Sequence, residues 1–452
     1  MILSEIPNIL SNSLKEISQP LSNKLINEIN TDTRNITEND IFLALKGDKF
    51  DGHLFAEKAI DKGAIALILN HKISVNSTKK IPQIIVKDTL IAYQEIANWW
   101  RNKVKIPIIG ITGSVGKTTT KELISAVLGV YGKVHKTQAN YNNEIGVPKT
   151  LLAITTSDDY AVIEMAMRAR GEIALLSQIA CPTIGIITNV GTAHIGRLGS
   201  REAIAEAKCE LLAEMPTDSI AILNHDDQRL METAAKVWQG KTITYGLEGG
   251  DITGKVLENQ ILRVKGMDFP LPLPGRHNAL NYLAALAVTQ QLNLDWHPLI
   301  QGVTVNLPQG RSQQYSLEND IILLDETYNA GLESMKAALQ LLKDTPGKRH
   351  LAVLGTMKEL GDASAQLHQE VGETAETLGI DGLYILVDDP EAQAIAQGVK
   401  TVETECFPTH EQLIQRLTEI IKPGDRILFK ASNSVGLNRV VEAVHNVISH
   451  QT

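Results

Sequence analysis

The chain contains 452 residues, of which 43% are hydrophobic and 21% are charged. This length exceeds that of one ordinary domain, and the apolar content is sufficient for two to four separate hydrophobic cores. The formal net charge of −9 argues against a protein that binds nucleic acids or membrane surfaces nonspecifically. No apolar stretch has the length of a membrane-spanning helix.

The cysteine pattern and the N-terminus indicate the compartment. The three cysteines, Cys181, Cys209 and Cys406, are far apart and form no pattern typical of a metal site or a disulfide framework. This usage fits a reducing compartment. Residues 1–14 have no basic region before their apolar positions, unlike a signal peptide. These features favour a cytoplasmic protein.

Residues 1–104 are expected to form a small α/β domain. Two apolar runs, Asp40–Leu45 and Ala64–Leu69, have the composition of buried strands. The segment His53–Lys62 between them is typical of a helix, and Gly63 provides the signal that ends it. Strand, helix and strand in this order indicate one α/β unit at the start of the chain.

Two polar segments of this first domain are candidates for ligand binding. They are Thr33-Arg34 and the loop Asp51-Gly52-His53. Turn chemistry together with a surface arginine explains the same residues equally well. From the residues alone, both interpretations therefore stay open.

The most informative stretch begins at the predicted strand Ile106–Ile111 and continues through a glycine-rich turn into a predicted helix, Lys117–Tyr131. This is the arrangement of a phosphate-binding loop, in which backbone N–H groups and the helix N-terminus face an anion. The pattern G-x-x-x-x-G-K-[ST] is shifted, because its first glycine is Gly110 instead of residue 111. We therefore predict a variant nucleotide-binding loop made of Gly113, Ser114, Val115, Gly116, Lys117, Thr118 and Thr119.

The loop belongs to a second domain, expected at about residues 105–313. Lys117 would reach the outer phosphates of a nucleotide, and the Thr118 hydroxyl would bind Mg²⁺. Glu164 lies near the end of an apolar strand, Tyr160–Met165, where a carboxylate is well placed to bind the same metal ion.

Three further features of the second domain allow two interpretations each. The loop containing Asn140 and Asn143 could contact phosphates, although such a loop is more often a simple turn. His194 lies in a glycine-rich loop after a predicted strand and is a ligand candidate, but a single histidine is more often structural. Lys208 falls on the apolar face of a predicted helix, so it either extends to solvent or pairs with a buried charge.

Residues 314–452 are expected to form a third domain. The predicted elements alternate between strands and helices: a strand from Ile321 with a polar tip, a helix at Leu332–Lys343, strands at His350–Gly355, Leu383–Val387 and Arg426–Lys430, and a last helix at Leu437–Ile448. The alternation predicts a mostly parallel sheet with helices on both faces, similar to a dinucleotide fold. No G-x-G-x-x-G motif follows Asp325, so no dinucleotide site is expected. The fold class is α/β, with a small N-terminal domain, a central phosphate-loop ATPase domain and a Rossmann-like C-terminal domain.

Four blocks of the chain together resemble the Mur ligases, the ATP-dependent amide ligases of peptidoglycan precursor synthesis. The blocks are Thr112–Lys121, Asn140–Pro148, Thr188–His194 and Asp325–Ala330. The resemblance covers nearly the whole chain and implies domains that bind a UDP-linked substrate, ATP and an amino substrate. The segment Phe50–His53 is most similar to the members that join D-alanyl-D-alanine to UDP-N-acetylmuramoyl-tripeptide through an acyl phosphate.

The resemblance also implies roles for individual residues. It assigns Thr118 and Glu164 to one Mg²⁺ ion, and Glu164, His194 and Lys208 to a second, with Lys208 carbamylated. Lys117 would stabilise charge on the transferred phosphoryl group. ATP would be held by the loop residues 113–119 together with Asn278, Arg311, Asp325, Tyr328 and Asn329. The UDP-linked substrate would contact Thr33, Arg34, Asp51, Gly52, His53, Asn140 and Asn143.

Two departures from the family pattern concern the amino-substrate side. The family's Tyr-Asn-Ala-Asn-Pro corresponds to Tyr328–Leu332, and its Lys-Gly-Ser-Arg corresponds to Lys430–Asn433, which lacks the arginine expected to hold the amino substrate's carboxylate. One alternative is another Mur-type or folylpolyglutamate synthase-like ligase. The second is a nucleotide-switched binding protein, which would lack the residues for a second metal ion. We expect a monomer with small-molecule substrates and no nucleic-acid partner.

Overall fold

The computed structural model describes residues 1–75 and 79–450, which form three separate sheets with helices packed against them. The N-terminal sheet has, in spatial order, strands Leu14–Ile17, Gln83–Val86, Ala66–Leu69, Ile41–Leu43 and Ile29–Asn30. The first pair is antiparallel and the other pairs are parallel. A short hairpin joins Lys46–Gly47 to Phe50–Asp51. The predicted strands and helix of this region are confirmed, although the helix starts as a 3₁₀ turn, Gly52–Phe55, before Ala56–Asp61.

The central sheet has nine strands and carries the phosphate loop. In spatial order they are Met267–Pro270, Ile261–Val264, Ile252–Leu257, Lys241–Gly246, Ile220–Asn224, Ile184–Ile187, Ile108–Thr112, Tyr160–Glu164 and Val134–Lys136. The seven strands from Ile252–Leu257 to Val134–Lys136 in this order run parallel. Strands Ile261–Val264 and Met267–Pro270 extend the sheet beyond Ile252–Leu257 with antiparallel pairing. All five residues of Ile108–Thr112 are buried because helices cover both faces of the sheet.

Two helix pairs cover the two faces of the central sheet. Helices Lys117–Leu128 and Arg276–Gln291 contribute to one apolar cluster. Helices Glu172–Ala180 and Arg201–Ala213 contribute to the other. The alanine-rich face of helix Arg276–Gln291 points into the core, since Ala279, Leu283, Ala284 and Ala287 are all buried. The phosphate loop is therefore carried by a strand that lies between two well-packed layers.

The C-terminal sheet has six strands. In spatial order they are Gln313–Leu317, Ile321–Asp325, Asp425–Lys430, Arg349–Leu354, Gly382–Leu386 and Glu403–Phe407. The first pair is antiparallel and the rest are parallel, with one apolar cluster on each face. The predicted mostly parallel sheet with helices on both faces is confirmed. Strand Gln313–Leu317 already belongs to this sheet, so the boundary that we propose after residue 313 lies inside a strand.

The α-helices, as the structure has them, complete the description. Within residues 1–75 and 79–450, none is long and apolar enough to cross a membrane. Their bounds are Ile6–Ile9, Ala56–Asp61, Thr89–Lys103, Lys117–Leu128, Gly146–Leu152, Glu172–Ala180, Ile195–Leu198, Arg201–Ala213, Gln228–Val237, Arg276–Gln291, Leu332–Asp344, Ser364–Leu378, Ala394–Gln397, His410–Ile420 and Asn438–His450.

Helix Thr89–Lys103 fixes the N-terminal sheet to the central one. Its buried Arg101 donates through Nε to the carbonyl oxygen of Ala180 at 2.7 Å. The indole Nε1 of Trp100 donates to the carbonyl oxygen of Ile154 at 3.0 Å. Because these acceptors belong to the central domain, the segment expected to end the first domain also forms its junction with the second.

Candidate active site

The turn between strand Ile108–Thr112 and helix Lys117–Leu128 requires glycine at its first position. Gly113 has φ +151°, a backbone conformation that residues with a side chain rarely adopt. A Cβ atom at this position would lie 1.9 Å from the Thr188 hydroxyl oxygen. Gly116, with φ +84°, then brings the chain into the helix. The predicted strand, glycine turn and helix are confirmed.

The loop is held from the side by the end of the neighbouring strand. The Ser114 N–H donates to the carbonyl oxygen of Asn189 at 3.0 Å, and the Val115 N–H donates to its side-chain oxygen at 2.9 Å. The Thr188 hydroxyl donates to the carbonyl oxygen of Val115 at 2.7 Å. Sequence reasoning assigned no role to this pair, although two polar residues directly after a buried strand were a usable signal. These three bonds tie the loop to the residues that follow strand Ile184–Ile187.

Lys117 lies at the centre of the charged groups. Its Nζ donates to the carbonyl oxygen of Gly113 at 2.8 Å. Burial lowers the pKa of Lys117. The negative charge of Glu164 raises this pKa, and the positive charge of Arg311 lowers it further. Burial is the largest cause that lowers the pKa of His194 and of Lys208, and the positive charge of Lys117 is the second. One ammonium group is therefore within electrostatic range of Glu164, His194 and Lys208.

Thr118 and Glu164 form the predicted pair at the ends of adjacent elements. The Thr118 hydroxyl donates to Glu164 Oε2 at 2.9 Å, and the Asn142 amide donates to Oε1 at 2.8 Å. Lys121 Nζ lies 3.8 Å from the same carboxylate. Sequence reasoning assigned no role to Asn142 or Lys121, although Asn142 lies in the polar loop beside Asn143 and Lys121 lies one turn after Thr118 in the same helix.

His194 and Lys208 occupy different surroundings. His194 has φ +67°, and its Nδ1 lies 2.6 Å from Glu359 Oε2 of the C-terminal domain. Lys208 is 1% exposed, so it does not extend to solvent. Among the described residues no carboxylate lies within ion-pair distance of Lys208, and burial lowers its pKa well below the ordinary value. Lys208 therefore neither extends to solvent nor pairs with a carboxylate among the described residues, and its burial disfavours the charged form of the amine.

A cleft of about 380 Å³ lies between the central and C-terminal domains and is lined by most of the predicted nucleotide residues. The Arg311 guanidinium stacks 3.8 Å above the Tyr328 ring, and its Nε is buried without a hydrogen-bond partner in the described residues. The predicted residues on the lining are Ser114, Val115, Gly116, Lys117, Thr118, Thr119, Asn140, Glu164, His194, Asn278, Arg311, Tyr328 and Asn329.

Other predicted residues lie behind the lining or outside it. Asp325 is 2% exposed and accepts bonds from Thr327, and burial raises its pKa. Asn143 accepts from the N–H groups of Ile145 and Gly146. Lys208 is also absent from the lining. Asp325 and Lys208 are therefore buried side chains, whereas Asn143 is exposed and accepts hydrogen bonds within its own loop.

The candidates of the N-terminal domain lie on a separate surface. Arg34 is exposed and pairs with Asp32 at 2.6 Å, whereas Thr33 is buried. His53 is buried, with Nδ1 2.6 Å from Asp51 Oδ1 and Nε2 accepting from the Asn70 N–H at 3.2 Å. Both ring nitrogens of His53 are therefore already engaged. A close approach of Gly52 to Leu45 leaves no room for a side chain there.

The donor set around Glu164 fits Mg²⁺. A hydroxyl and a carboxylate within 2.9 Å of each other are the oxygen ligands that this ion prefers, and they face the cleft beside the phosphate loop. Within the described residues, no three His, Cys, Asp or Glu side chains form a complete metal site.

Comparison with known proteins agrees with this geometry. Three family models match consecutive parts of the chain: the Mur ligase family catalytic domain at residues 25–103, the Mur ligase middle domain at 111–289 and the Mur ligase glutamate ligase domain at 310–433. A Synechocystis protein named UDP-N-acetylmuramoyl-tripeptide–D-alanyl-D-alanine ligase is 57% identical over 97% of this chain and 96% of its own length. An Escherichia coli protein of the same name is 36% identical over 98% of each chain.

Solved structures with the same fold include two MurF enzymes. MurF from Acinetobacter baumannii superposes with a TM-score of 0.88 at 28% identity over 98% of each chain. MurF from Thermotoga maritima in complex with ADP gives 0.84 at 30% identity, over 94% of this chain and 98% of that one. The phosphate loop, the carboxylate beside it and the three matched domains lead to one conclusion: the chain belongs to the Mur ligase family.

Proposed function

We propose that the protein is an ATP-dependent, ADP-forming ligase that joins D-alanyl-D-alanine to UDP-N-acetylmuramoyl-tripeptide in peptidoglycan precursor synthesis. Relatives with this name align over nearly the whole chain, at up to 57% identity. The observation that carries the chemistry is the cluster of Lys117, Thr118 and Glu164 at the phosphate loop. We also propose that it acts in the cytoplasm, as a monomer.

The chemistry follows from the weakness of a carboxylate as an electrophile. Transfer of the γ-phosphoryl group of ATP to the terminal carboxylate of the tripeptide breaks the bond between the β- and γ-phosphates and creates an acyl phosphate. The amine of the dipeptide then attacks the acyl carbon, and inorganic phosphate leaves. Mg²⁺ would neutralise the crowded phosphate oxygens. Lys117 would stabilise the charge that develops on the transferred group.

Lys208 is proposed to act as its carbamate. The neutral amine nitrogen attacks carbon dioxide, an N–C bond forms and one N–H proton leaves to solvent. Burial and the neighbouring Lys117 lower the pKa of Lys208, which supports this step because only the neutral amine has a free electron pair. The product is an anion that joins Glu164 and His194 as a candidate ligand of a second Mg²⁺.

The remaining assignments concern the two substrates. We propose that ATP is held by Gly113–Thr119 together with Asn278, Arg311, Asp325, Tyr328 and Asn329. Two observations support the residues that follow the loop in this set. Asn278, Arg311, Tyr328 and Asn329 line the cleft, and the buried Arg311 Nε has no hydrogen-bond partner among the described residues. The UDP-linked substrate is assigned to Thr33, Arg34, Asp51, Gly52, His53, Asn140 and Asn143. Within that set, Arg34 is an exposed cation that is already paired with Asp32, whereas His53 acts by shaping its loop.

An amino-acceptor screen tests the proposal. Phosphate release is measured with ATP, Mg²⁺, UDP-N-acetylmuramoyl-tripeptide and, one at a time, D-alanyl-D-alanine, D-alanine, glycine and L-glutamate. We expect release only with the dipeptide, and only when the tripeptide is also present. Release with another acceptor would overturn the dipeptide assignment, for which the missing arginine at Asn433 is the relevant departure. Release from ATP alone would favour the nucleotide-switched protein.

A further inference from the structure

The loop that carries His194 is held by the C-terminal domain. The Thr192 N–H and hydroxyl donate to the Glu333 carboxylate at 3.0 and 2.9 Å. The Gly196 N–H donates to the carbonyl oxygen of Glu359 at 3.2 Å. Ile195 packs against the apolar clusters of both domains. The conformation of this central-domain loop is therefore set by contacts that exist only when the two domains are docked.

Close backbone packing makes this docking specific. A Cβ atom on Gly196 would lie 2.5 Å from the Gly361 nitrogen, and one on Gly191 would lie 2.5 Å from the Glu333 carboxyl carbon. His194 and Glu359 both have positive φ, +67° and +66°. Non-glycine residues keep such conformations where surrounding contacts enforce them. The two loops thus fit each other at one relative position.

Glu359 contacts the imidazole of His194 directly. Its Oε2 lies 2.6 Å from Nδ1, and its Oε1 accepts from Arg197 at 3.0 Å. A carboxylate can only accept a hydrogen bond, so Nδ1 must carry the proton. In the neutral ring, Nε2 then has a free electron pair. His194 lines the cleft, and no described residue hydrogen-bonds its Nε2.

We propose that Glu359 is a positioning residue: docking of the C-terminal domain fixes the Nδ1–H tautomer of His194 and directs the Nε2 electron pair into the nucleotide cleft. The expected effect on the ligase rate rests on the proposed function, whereas the contact between Glu359 and His194 does not depend on it. Glu359 lies in the loop after strand Arg349–Leu354 and does not line the nucleotide cleft. Through His194 this loop nevertheless becomes part of the site in which the substrate carboxylate is phosphorylated. A carboxylate behind a ligating histidine is a common way to set ring orientation and tautomer.

The direct test is nitrogen-15 NMR of the His194 ring in the full-length protein with ADP, assigned by comparison with His194→Gln. We expect protonated Nδ1 and unprotonated Nε2 in the wild type. In Glu359→Ala the proton should move to Nε2 or divide between both nitrogens. In Glu359→Gln the amide oxygen still accepts from Nδ1, so the wild-type tautomer should persist. A wild-type ring protonated at Nε2 would overturn the inference, whatever the outcome of the acceptor screen.

The kinetic test separates positioning from folding. Glu359→Ala should lower kcat about 10–100-fold, the usual effect of removing the carboxylate behind a metal-binding histidine, with KM for ATP nearly unchanged. Glu359→Gln should recover most of that loss. The matched control is Glu370→Ala, which removes an ion pair of 3.0 Å with Lys336 inside the same domain and should leave kcat unchanged. Equal kcat values for Glu359→Ala and Glu370→Ala would refute the positioning role. Absence of acceptor-dependent turnover in the wild type would refute the proposed function, while the NMR result would still decide the tautomer.

Discussion

Gly113→Ala is the most exact test of how the phosphate loop is built. The added methyl group would lie 1.9 Å from the Thr188 hydroxyl oxygen, 3.1 Å from its Cβ and 3.2 Å from its backbone nitrogen. Rotation of the Thr188 side chain would relieve the closest contact but would break its bond to the Val115 carbonyl oxygen. The backbone contact would remain in every rotamer.

The cost has three parts. The positive φ of +151° costs a residue with a side chain about 1–2 kcal/mol. Overpacking against Thr188 adds about 1–3 kcal/mol. Loss of the Thr188 hydrogen bond adds about 1 kcal/mol. We therefore expect Gly113→Ala to destabilise the central domain by about 3–6 kcal/mol. At about 2–4 °C per kcal/mol for a domain of this size, its unfolding temperature should fall by about 6–24 °C.

Gly171→Ala is the matched control. Gly171 has φ +84°, but a Cβ atom there would meet nothing within 4 Å, so this variant reports the backbone cost alone, about 1–2 kcal/mol. Calorimetric unfolding and ADP affinity would be measured for both variants, and for Gly113→Ala combined with Thr188→Ala. We expect the double variant to be less destabilised than the sum of the single ones, because the closest clash is removed. Equal stability of the two glycine variants, or strict additivity with Thr188→Ala, would refute the reasoning.

Three further predictions concern charge. Lys117→Ala should lower acceptor-dependent phosphate release at least about 10²–10³-fold, because it removes a preorganised cation from the transferred group; wild-type rates would contradict the role proposed for it. Lys208→Ala should be inactive and regain activity with a short carboxylate such as propionate, whereas turnover without the additive would exclude a carbamate. Asp32 has its pKa lowered to about 2, first by the hydrogen bond from Arg34. Because the folded-state pKa is the lower one, this contribution to stability is present above the unfolded-state pKa of about 3.9 and is lost as the pH falls towards 2. In an NMR titration Arg34→Ala should raise the Asp32 pKa towards 3.8, and an unchanged midpoint would show that the pair has no such effect.

The chemistry near the phosphate loop was accessible from the sequence because it is encoded locally. Strand Ile108–Thr112, the glycine turn and helix Lys117–Leu128 are contiguous, so their order alone indicates a nucleotide-binding loop. Glu164 was found in the same way, as a carboxylate at the end of an apolar strand. Sequence reasoning missed strands Ile252–Leu257, Ile261–Val264 and Met267–Pro270, although the alternation of buried and exposed positions in the first of them is typical of a half-buried strand.

Which side chains contact Lys208 and His194 could be learned only from the tertiary structure. Periodicity placed Lys208 on an apolar face, but only the packed helix shows that the amine is buried and that no carboxylate in residues 1–75 and 79–450 pairs with it. A histidine in a glycine-rich loop was visible at position 194, but its partner Glu359 lies 165 residues further along the chain. The sequence by itself determined the elements and the phosphate loop, since these depend on neighbouring residues. The contacts that orient Glu164 come from distant segments of the central domain, and the contact that orients His194 comes from the docked C-terminal domain. Residue spacing along the chain carries no record of either.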